Sequence, residues 1–211
     1  YSLEQRASIS TQEPLSLTQA VAGGGKTTAI MGRIDYLIGQ GVSPNEILAL
    51  SFTNNAADNI VARNPEVNSM TIAKMIHKIY SHSFTHQIVH IPTLINSLDI
   101  FFPTDTFAKE LKPILHRVNT NGRGAMTDLN NFAIKHTTDL LEILNRLNQT
   151  TLELEIVLAH KLSHTLPLPE DVQAKYLIVD EVQDNSLFEF IYLLESVARN
   201  RQNLYIVGDA A

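Results

Sequence analysis

The stretch AVAGGGKTT, residues 20–28, decides the fold because it places three glycines, a lysine and two threonines where a strand-like run gives way to a helical pattern. Glycines lack a Cβ, so their backbone N–H groups can curl around an anion, and the helix that follows adds the unpaired N–H groups of its first turn. In this phosphate-loop arrangement Lys26 can reach the β- and γ-phosphates of a nucleotide, and the Thr27 hydroxyl can bind Mg²⁺. The alternative is a glycine-rich turn with a solvated lysine.

Short, almost wholly apolar runs near both ends of the chain are typical of parallel strands that are buried on both faces. Between them, helical periodicity places Ile30, Ile34 and Leu37 on one side of a helix over Thr27–Ile38, and a similar stripe starts at Leu187. This alternation predicts an α/β fold with a doubly wound, mostly parallel sheet. The predicted strands are Leu15–Ala20, Ile47–Phe52, Lys175–Val179 and Leu204–Val207.

The middle of the chain has a different sequence pattern, which indicates helices rather than strands. Strand-like runs are absent from residues 84–169, where helical segments are separated by a proline and by the turn sequences NTNGRG and NQTT. We therefore predict an α/β domain, residues 1–83 and 170–211, that is interrupted by an all-helical insertion, residues 84–169. Acidic and basic residues are about equally frequent in the insertion, so it is not a basic patch.

A pair of carboxylates follows a predicted strand near the end of the chain, in YLIVDEVQD at residues 176–184. In open α/β sheets the carboxyl ends of the strands face the ligand crevice, and adjacent carboxylates there are costly unless a cation or water meets them. Asp180 would hold Mg²⁺, and Glu181 would orient and deprotonate the water that attacks a γ-phosphate. An acidic turn in which Asp184 or Asn185 caps a helix is the alternative, but it leaves Asp180 and Glu181 unexplained. The two motifs together predict hydrolysis of a nucleoside triphosphate.

Composition narrows the class of protein. With 211 residues and 44% hydrophobic content the chain can bury a sizeable core, and its net charge of −6 gives no general attraction for nucleic acid or anionic lipid. The absence of cysteine excludes disulfides and thiolate metal sites, and no apolar run reaches the ~20 residues that a membrane helix needs. Without a signal-peptide pattern, we expect a cytoplasmic location and no membrane partner. Because the chain starts at Tyr1 and stops just after an apolar run, we expect it to be part of a longer protein.

Five segments, in order along the chain, resemble motifs of the UvrD/Rep-type helicases of superfamily 1. AVAGGGKTT is similar to the family's AxAGxGKT loop, and DEVQD to its DExQD form of the Walker B motif. LEQRA resembles the Q motif, ILALSFTNNAA resembles motif Ia, and IVGDAA resembles the opening of motif III. The resemblance implies a RecA-like P-loop NTPase fold, in which residues 84–169 correspond to the family's helical 1B subdomain.

The resemblance also implies a set of nucleotide-binding and catalytic residues for ATP and Mg²⁺. Lys26, Glu181 and Gln183 would carry catalysis, with Gln183 linking the sensing of the γ-phosphate to DNA movement. Thr27 and Asp180 would hold the Mg²⁺ ion. The implied nucleotide-binding residues are Gln5, which would contact adenine, and Ala20, Val21, Ala22, Gly23, Gly24, Gly25, Lys26, Thr27 and Thr28.

Single-stranded DNA and duplex junctions are the implied partners, together with a second RecA-like domain of the longer protein to which we expect this chain to belong. Phe52, Thr53 and Asn54 would contact single-stranded DNA, and stacking on an aromatic ring tolerates any base sequence. A buried core position is the alternative for Phe52, and an exposed polar position without a role is the alternative for Gln5.

The sequence departs from the family pattern in several places. Thr28 stands where the family has an arginine that stacks on adenine, and Asn55 replaces a lysine that contacts the DNA backbone. The family's TFH signature is replaced by TIA at residues 71–73, with His77 as a distant substitute. The chain also stops before the glutamine of motif III, and it does not include the second RecA-like domain with its arginine finger.

The histidines suggest a metal site but do not establish one. His82, His86 and His90 repeat at four-residue spacing, as does a second pair near residue 160, and such spacing stacks rings on one face of a helix. No cysteine or nearby carboxylate completes either set, and Pro92 with its β-branched neighbours argues against a long helix there. We assign no metal to these residues and expect solvated or hydrogen-bonded histidines.

We expect the ATP-binding domain of a DNA helicase that couples Mg-ATP hydrolysis to translocation on single-stranded DNA and to unwinding, 3′ to 5′ by resemblance. Because such motors close two RecA-like domains around ATP, this chain alone should bind ATP weakly and hydrolyse it negligibly. The alternative is a UvrD-like regulatory or defence ATPase module that uses nucleotide as a switch without unwinding. A P-loop kinase is a third reading, disfavoured because DExQD belongs to the helicase pattern and no acceptor pocket can be identified.

Overall fold

The computed structural model describes residues 1–20, 25–181, 183, 189, 193 and 203–209. The loop residues Val21, Ala22, Gly23 and Gly24 and most of the predicted helix from Leu187 lie outside the described residues, as do Asp184 and Asn185. In chain order the elements are α1 (Leu3–Ile9), β1 (Leu15–Ala20), α2 (Lys26–Gly39), β2 (Ile47–Ser51), α3 (Asn54–Arg63), β3 (Asn68–Thr71), α4 (Ile72–Ser83), β4 (Gln87–Ile88), α5 (Ile91–Phe101), α6 (Thr106–Asn121), α7 (Met126–Lys135), α8 (Thr137–Leu147), β5 (Gln149–Thr150), α9 (Leu152–Lys161), β6 (Tyr176–Val179) and β7 (Asn203–Asp209).

The chain divides into two compact units, Tyr1–Met75 with Leu168–Ala211, and Ile76–Pro167. The first unit contains a five-stranded sheet in the order β1-β7-β6-β2-β3, and all of its strand pairs are parallel. The predicted α/β class with a parallel sheet is confirmed. The domain boundaries predicted from sequence, and the equivalence of the middle segment to a 1B subdomain, stay predictions.

The strands of the five-stranded sheet follow the sequence prediction closely, with one addition. β1 has the predicted bounds, β2 and β6 are each one residue shorter than predicted, and β7 extends to Asp209. β3, with the sequence NSMT, was not predicted because it lacks an apolar run, and only Met70 of its four residues is buried. β3 is held in the sheet by its backbone pairing with β2, which the sequence of β3 by itself does not indicate.

Helix α2 packs on the sheet through the stripe that its sequence predicts. It begins after Gly25, whose φ of 82° lies in the left-handed region that favours glycine. Ile30, Ile34 and Leu37 are at most 4% exposed, because their spacing of three and four residues brings them onto one face of the helix. They pack in one cluster with sheet residues that include Ile47, Ala49, Ile178, Tyr205 and Val207.

The second unit is helical, apart from a two-stranded parallel ladder between β4 and β5. Pro92 lies in the first turn of α5, where a missing N–H is tolerated, and α4 ends at Ser83, so no long helix runs over His82, His86 and His90, as expected from the sequence. The segment of residues 129–147, expected as continuous helix, is split at His136 between α7 and α8. Among the described residues, no helix has both the length and the apolar character that spanning a bilayer requires.

Candidate nucleotide-binding site

The candidate site lies at the carboxyl edge of the sheet in the first unit. In the parallel register, Ala20 at the end of β1 pairs with Asp209 at the end of β7, and Val179 at the end of β6 pairs with Ile206. Parallel strands end at the same edge, so the carboxyl ends of β1, β6 and β7 lie side by side. The register therefore brings the end of the strand that precedes the glycine sequence and the end of the strand that precedes the acidic pair to one edge, as the sequence predicts.

Lys26, the first residue of α2, lies between two carboxylates. Its Nζ is 2.8 Å from Oε1 and 2.9 Å from Oε2 of Glu181, and it also donates a hydrogen bond to Oδ1 of Asp209. The Lys26 side chain is 12% exposed, whereas those of Glu181 and Asp209 are 30% and 45% exposed. Hydrogen bonds to Asp209 and Glu181 hold the pKa of Lys26 above its ordinary value of 10.5, although burial acts in the opposite direction. The ammonium group is therefore a permanent cation at this edge.

Gln183 connects the two carboxylate-bearing segments. Its Nε2 donates to Oε2 of Glu181 at 2.6 Å, and its Oε1 accepts from the backbone N–H of Asp209 at 3.3 Å. Glu181 itself has a φ of 50°, which is uncommon for a residue with a Cβ. Such strained backbone is concentrated at functional sites, because the surrounding structure must hold it in place.

The two predicted Mg²⁺ ligands differ in exposure. Asp180 follows β6 directly and is 7% exposed, and its N–H donates to the carbonyl oxygen of Leu50 at 2.8 Å. Thr27 is the second residue of α2 and is exposed, as is Thr28 after it. A buried carboxylate next to a half-exposed one suits a site that is filled by a cation rather than by bulk water.

Gln5 lies against the end of the glycine loop. A Cβ added to Gly25 would lie 2.6 Å from Nε2 of Gln5, so only glycine allows this approach without displacing the amide. The Gln5 side chain is held by a capping box at the start of α1, in which its Oε1 accepts from the N–H of Ser2 at 2.9 Å. The half-buried amide is thus fixed beside the loop, unlike the exposed polar residue of the alternative reading.

The predicted DNA-contacting residues begin α3, directly after β2. Phe52 is 39% exposed, so the buried core position considered from the sequence is wrong. Thr53 caps α3 by accepting a hydrogen bond from the N–H of Ala56 at 3.2 Å, and Asn54 and Asn55 are exposed in its first turn. An exposed aromatic ring beside a polar helix start is compatible with base stacking, and the DNA contact stays a prediction.

Asp209 is the participant that sequence reasoning did not assign. It belongs to the segment IVGDAA, whose GD pair was compared with motif III, but the comparison gave the aspartate no contact. Its role follows from register alone, because the pairing of β1 with β7 places Asp209 opposite Ala20 and so beside the loop that ends at Lys26. A contact across 183 residues of sequence could not be inferred from a local pattern.

The arrangement fits a triphosphate bound with a divalent cation. Among the described residues, the Lys26 ammonium contacts the carboxylates of Glu181 and Asp209, and the buried Asp180 directly precedes Glu181. The phosphates could replace the carboxylates as hydrogen-bond partners of the Lys26 ammonium, and a divalent ion could then neutralise the carboxylates. Gly25, Lys26 and Thr27 would hold the phosphates, while Thr27 and Asp180 would hold the ion.

The histidines do not share the helix faces that their spacing suggested. His82 lies in α4, whereas His90 is the N-cap of α5, with the short strand β4 between them. His86 instead bonds to its neighbours, with Nδ1 2.9 Å from the Tyr80 hydroxyl and Nε2 2.8 Å from Oδ1 of Asn145. Within the described ranges, no group of three or more histidine and carboxylate side chains forms a candidate metal site.

Comparison with known proteins connects this site to nucleotide-driven enzymes. The family model described as AAA domain matches residues 5–211. A probable DNA helicase of Mycoplasma pneumoniae is 26% identical over 243 residues, covering 98% of this chain and 46% of the relative. The ATP-dependent DNA helicase PcrA of Staphylococcus epidermidis is 26% identical over 242 residues, covering 98% of this chain and 33% of the relative. The chain thus spans less than half the length of these relatives.

Proposed function

Because this chain belongs to the AAA domain family and is similar to DNA helicases along almost its whole length, we propose that it is the ATP-binding domain of a helicase. The resemblance to UvrD/Rep-type helicases, stated first on five motifs, is confirmed by these matches. In the proposed function, Mg-ATP hydrolysis drives translocation on single-stranded DNA and duplex unwinding, with 3′ to 5′ polarity by resemblance. A second RecA-like domain of the parent protein would complete the motor.

The observation that supports the proposal most strongly is the position of the Lys26 ammonium between Glu181 and Asp209. A structural ion pair would need one carboxylate, whereas Lys26 contacts two among the described residues, and the buried Asp180 precedes one of them. Carboxylates gathered around a half-buried cation favour the binding of a further cation. A divalent ion that enters with a triphosphate meets this requirement.

Each residue then has a role that its contacts support. The triphosphate competes with Glu181 and Asp209 for Lys26, because phosphate oxygens accept the same charge-assisted hydrogen bonds. Glu181, once released, can accept a hydrogen bond from water and take its proton during attack on the γ-phosphate. The bound Mg²⁺ would supply charge stabilisation at the phosphates.

Gln183 is placed to respond to whether a nucleotide is bound, because it contacts both Glu181 and Asp209. Its amide bonds to the side chain of Glu181 and to the backbone of Asp209, so it connects the segment that follows β6 with the end of β7. A shift of Glu181 on nucleotide binding would break or redirect this bridge. In a helicase, that change would accompany movement of single-stranded DNA along the surface that includes Phe52.

Binding of Mg-ATP tests the nucleotide site directly. We expect Lys26→Ala to weaken binding of a fluorescent ATP analogue by roughly tenfold to a hundredfold, because a charged hydrogen bond is worth about 1.5–3 kcal/mol. Lys109→Ala is the matched control, since Lys109 lies exposed on α6, and its affinity should equal that of the parent chain. Equal affinities for Lys26→Ala and the parent chain would reject the proposed site.

A nucleotide-driven switch without unwinding is the second candidate function. It is favoured by one observation, that the exposed position 55 carries asparagine where the helicase family has a DNA-contacting lysine. Strand displacement on a 3′-tailed duplex by the complete parent protein separates the two functions. Displacement that depends on ATP supports the helicase, whereas hydrolysis without displacement supports the switch.

A further inference from the structure

A polar cavity of about 230 Å³ lies at the opposite edge of the same sheet, in the first unit. Asn203 and Tyr176 in its lining are the first residues of β7 and β6, whereas Asp209 and Asp180 lie at the other ends of these strands. The cavity is several times larger than the ~30 Å³ that a water molecule occupies in the liquid. Its lining residues are Gln12, Arg33, Tyr36, Leu37, Gln40, Val42, Tyr176 and Asn203.

Arg33 is the charged group of this cavity, and it is almost completely buried, with 2% of its surface exposed. Its Nη1 donates to the carbonyl oxygens of Ile9 at 2.7 Å and Thr11 at 2.8 Å, and its Nη2 donates to Oδ1 of Asn203 at 3.0 Å. The buried Nε has no hydrogen-bond partner. The guanidinium group therefore retains an unused donor next to a cavity.

Among the described residues, the hydrogen-bond partners of the Arg33 guanidinium are neutral groups. Within the described part of the chain its hydrogen bonds go to two carbonyls and one amide, and the rings of Tyr36 and Tyr205 lie 5.6 Å from its Cζ. Burial lowers the pKa of Arg33 below its ordinary value of 12.5, because the charged form is poorly solvated there. Arginine nevertheless remains charged in proteins. The free-energy cost of burying the guanidinium charge would therefore be lowered by a bound anion rather than by loss of a proton.

The described residues that line the cavity offer neutral hydrogen-bond donors and include no carboxylate. The Tyr36 hydroxyl accepts from Nε2 of Gln12 at 2.7 Å, so its own proton is available to a ligand. The Tyr176 hydroxyl and the Gln40 amide can donate in the same way. An anion in this cavity would gain hydrogen bonds without meeting a like charge on the wall.

We propose that this cavity is a binding site for a small oxyanion of the phosphate type, held by the Arg33 guanidinium with Tyr36, Gln40 and Tyr176 as neutral donors. The site is separate from the nucleotide site. At a rise of about 1.5 Å per residue, Arg33 lies roughly 10 Å further along α2 than Lys26. The seven residues of β7 separate Asn203 from Asp209 by about 20 Å.

Titration with inorganic phosphate at constant ionic strength tests the proposal, with calorimetry and tyrosine fluorescence as readouts. The chain has six tyrosines and no tryptophan, and three of the tyrosines surround Arg33, so the fluorescence reports on this cavity without tryptophan interference. The titration is made in the Lys26→Ala variant as well, because the proposed nucleotide site would also bind phosphate. We expect saturable millimolar binding that persists in Lys26→Ala, and chloride at equal ionic strength should give no saturable signal.

The double variant Gln40→Leu with Tyr176→Phe removes two neutral donors and leaves Arg33 and its structural contacts in place. We expect phosphate affinity to fall by roughly tenfold or more, since each lost hydrogen bond to a charged ligand weakens binding. Absence of binding to Lys26→Ala, or unchanged affinity in the double variant, would overturn the proposal and leave Arg33 with a structural role only. Neither outcome bears on the ATP site, because Mg-ATP binding depends on Lys26 and is measured separately.

Discussion

Helix α2 carries a positive charge in two different environments, one at its start and one near its middle. Lys26 at the start is bonded to two partly exposed carboxylates, that of Glu181 after β6 and that of Asp209 at the end of β7. Arg33, two turns later, is 2% exposed and bonded to backbone carbonyls and an asparagine. Charged, solvent-accessible partners can be exchanged for a phosphate at little net cost, whereas buried neutral partners cannot be replaced without leaving polar groups unsatisfied. The same helix therefore carries one exchangeable cation and one fixed cation.

This difference has a consequence for where ligand binding and stability reside in the first unit. The contacts of Lys26 are suited to ligand exchange, so their loss should affect nucleotide affinity more than folding. The contacts of Arg33 join the end of α1, the segment after it and the start of β7, so their loss should affect folding first.

The largest effect should come from Arg33→Met, which keeps the length of the side chain and removes its donors. The carbonyls of Ile9 and Thr11 and the amide of Asn203 would then be buried without this partner. We expect the free energy of unfolding to fall by about 3 kcal/mol, measured by urea denaturation. Arg63→Met is the control, because Arg63 lies exposed at the end of α3, and it should change the free energy by less than about 0.5 kcal/mol. A loss at Arg33 no larger than at Arg63 would remove the distinction between the two cations.

A smaller effect is expected from Asp209→Asn, which should strengthen the binding of ATP rather than weaken folding. The variant takes away one of the two carboxylates that hold Lys26, and exposed ion pairs are worth about 0.2–1 kcal/mol. We therefore expect ATP to bind about two- to fivefold more tightly when Mg²⁺ is removed with EDTA, as measured by titration of a fluorescent ATP analogue. Mg²⁺ is removed because, without the ion, the Asp209 carboxylate only competes with the phosphates for Lys26.

Asp58→Asn provides the comparison for Asp209→Asn, because Asp58 is exposed on α3 and the charge change is identical. Its affinity for Mg-free ATP should match that of the parent chain. If Asp209→Asn bound ATP less tightly than Asp58→Asn, Asp209 would be a contributor to the nucleotide site rather than a competitor for Lys26.

The sequence predicted the exchangeable cation and its partner because local patterns carry that information. Glycines between a strand and a helix, and carboxylates after an apolar strand, each have a physical reason that depends on a few neighbouring residues. Parallel pairing then brings Lys26 and Glu181 to one edge, as expected for strands buried on both faces. The α/β class, four strands and helix α2 followed from the same reasoning.

The features that sequence reasoning missed depend on contacts between distant segments. β3 is polar and exists because β2 offers it a partner, and the role of Asp209 depends on the register between β1 and β7. Arg33 reads as an ordinary polar residue within an amphipathic helix, although Tyr205 and Asn203, which lie far along the chain, help to bury it.

The smallest effect extends the comparison to a buried anion in the second unit. Glu155 is 1% exposed, and Nδ1 of His77 lies 3.0 Å and 3.3 Å from its two carboxylate oxygens. Burial raises the pKa of Glu155 above its ordinary value of 4.5, and His77 opposes part of this rise. A carboxyl whose pKa is raised by folding stabilises the folded state fully below pH 4.5, and this contribution is lost as the pH rises through the raised pKa.

Glu155→Gln keeps the size of the side chain and a hydrogen bond to His77, but it cannot titrate. We therefore expect the free energy of unfolding of the parent chain to decline relative to that of the variant as the pH is raised from 4.5 to neutrality, in urea denaturation at a series of pH values. Glu110→Gln, at an exposed position of α6, should instead give a profile parallel to that of the parent chain. A parallel profile for Glu155→Gln would mean that His77 compensates the buried carboxylate completely. Buried Glu155 would then resemble Lys26, which has charged partners, rather than Arg33, whose partners are neutral.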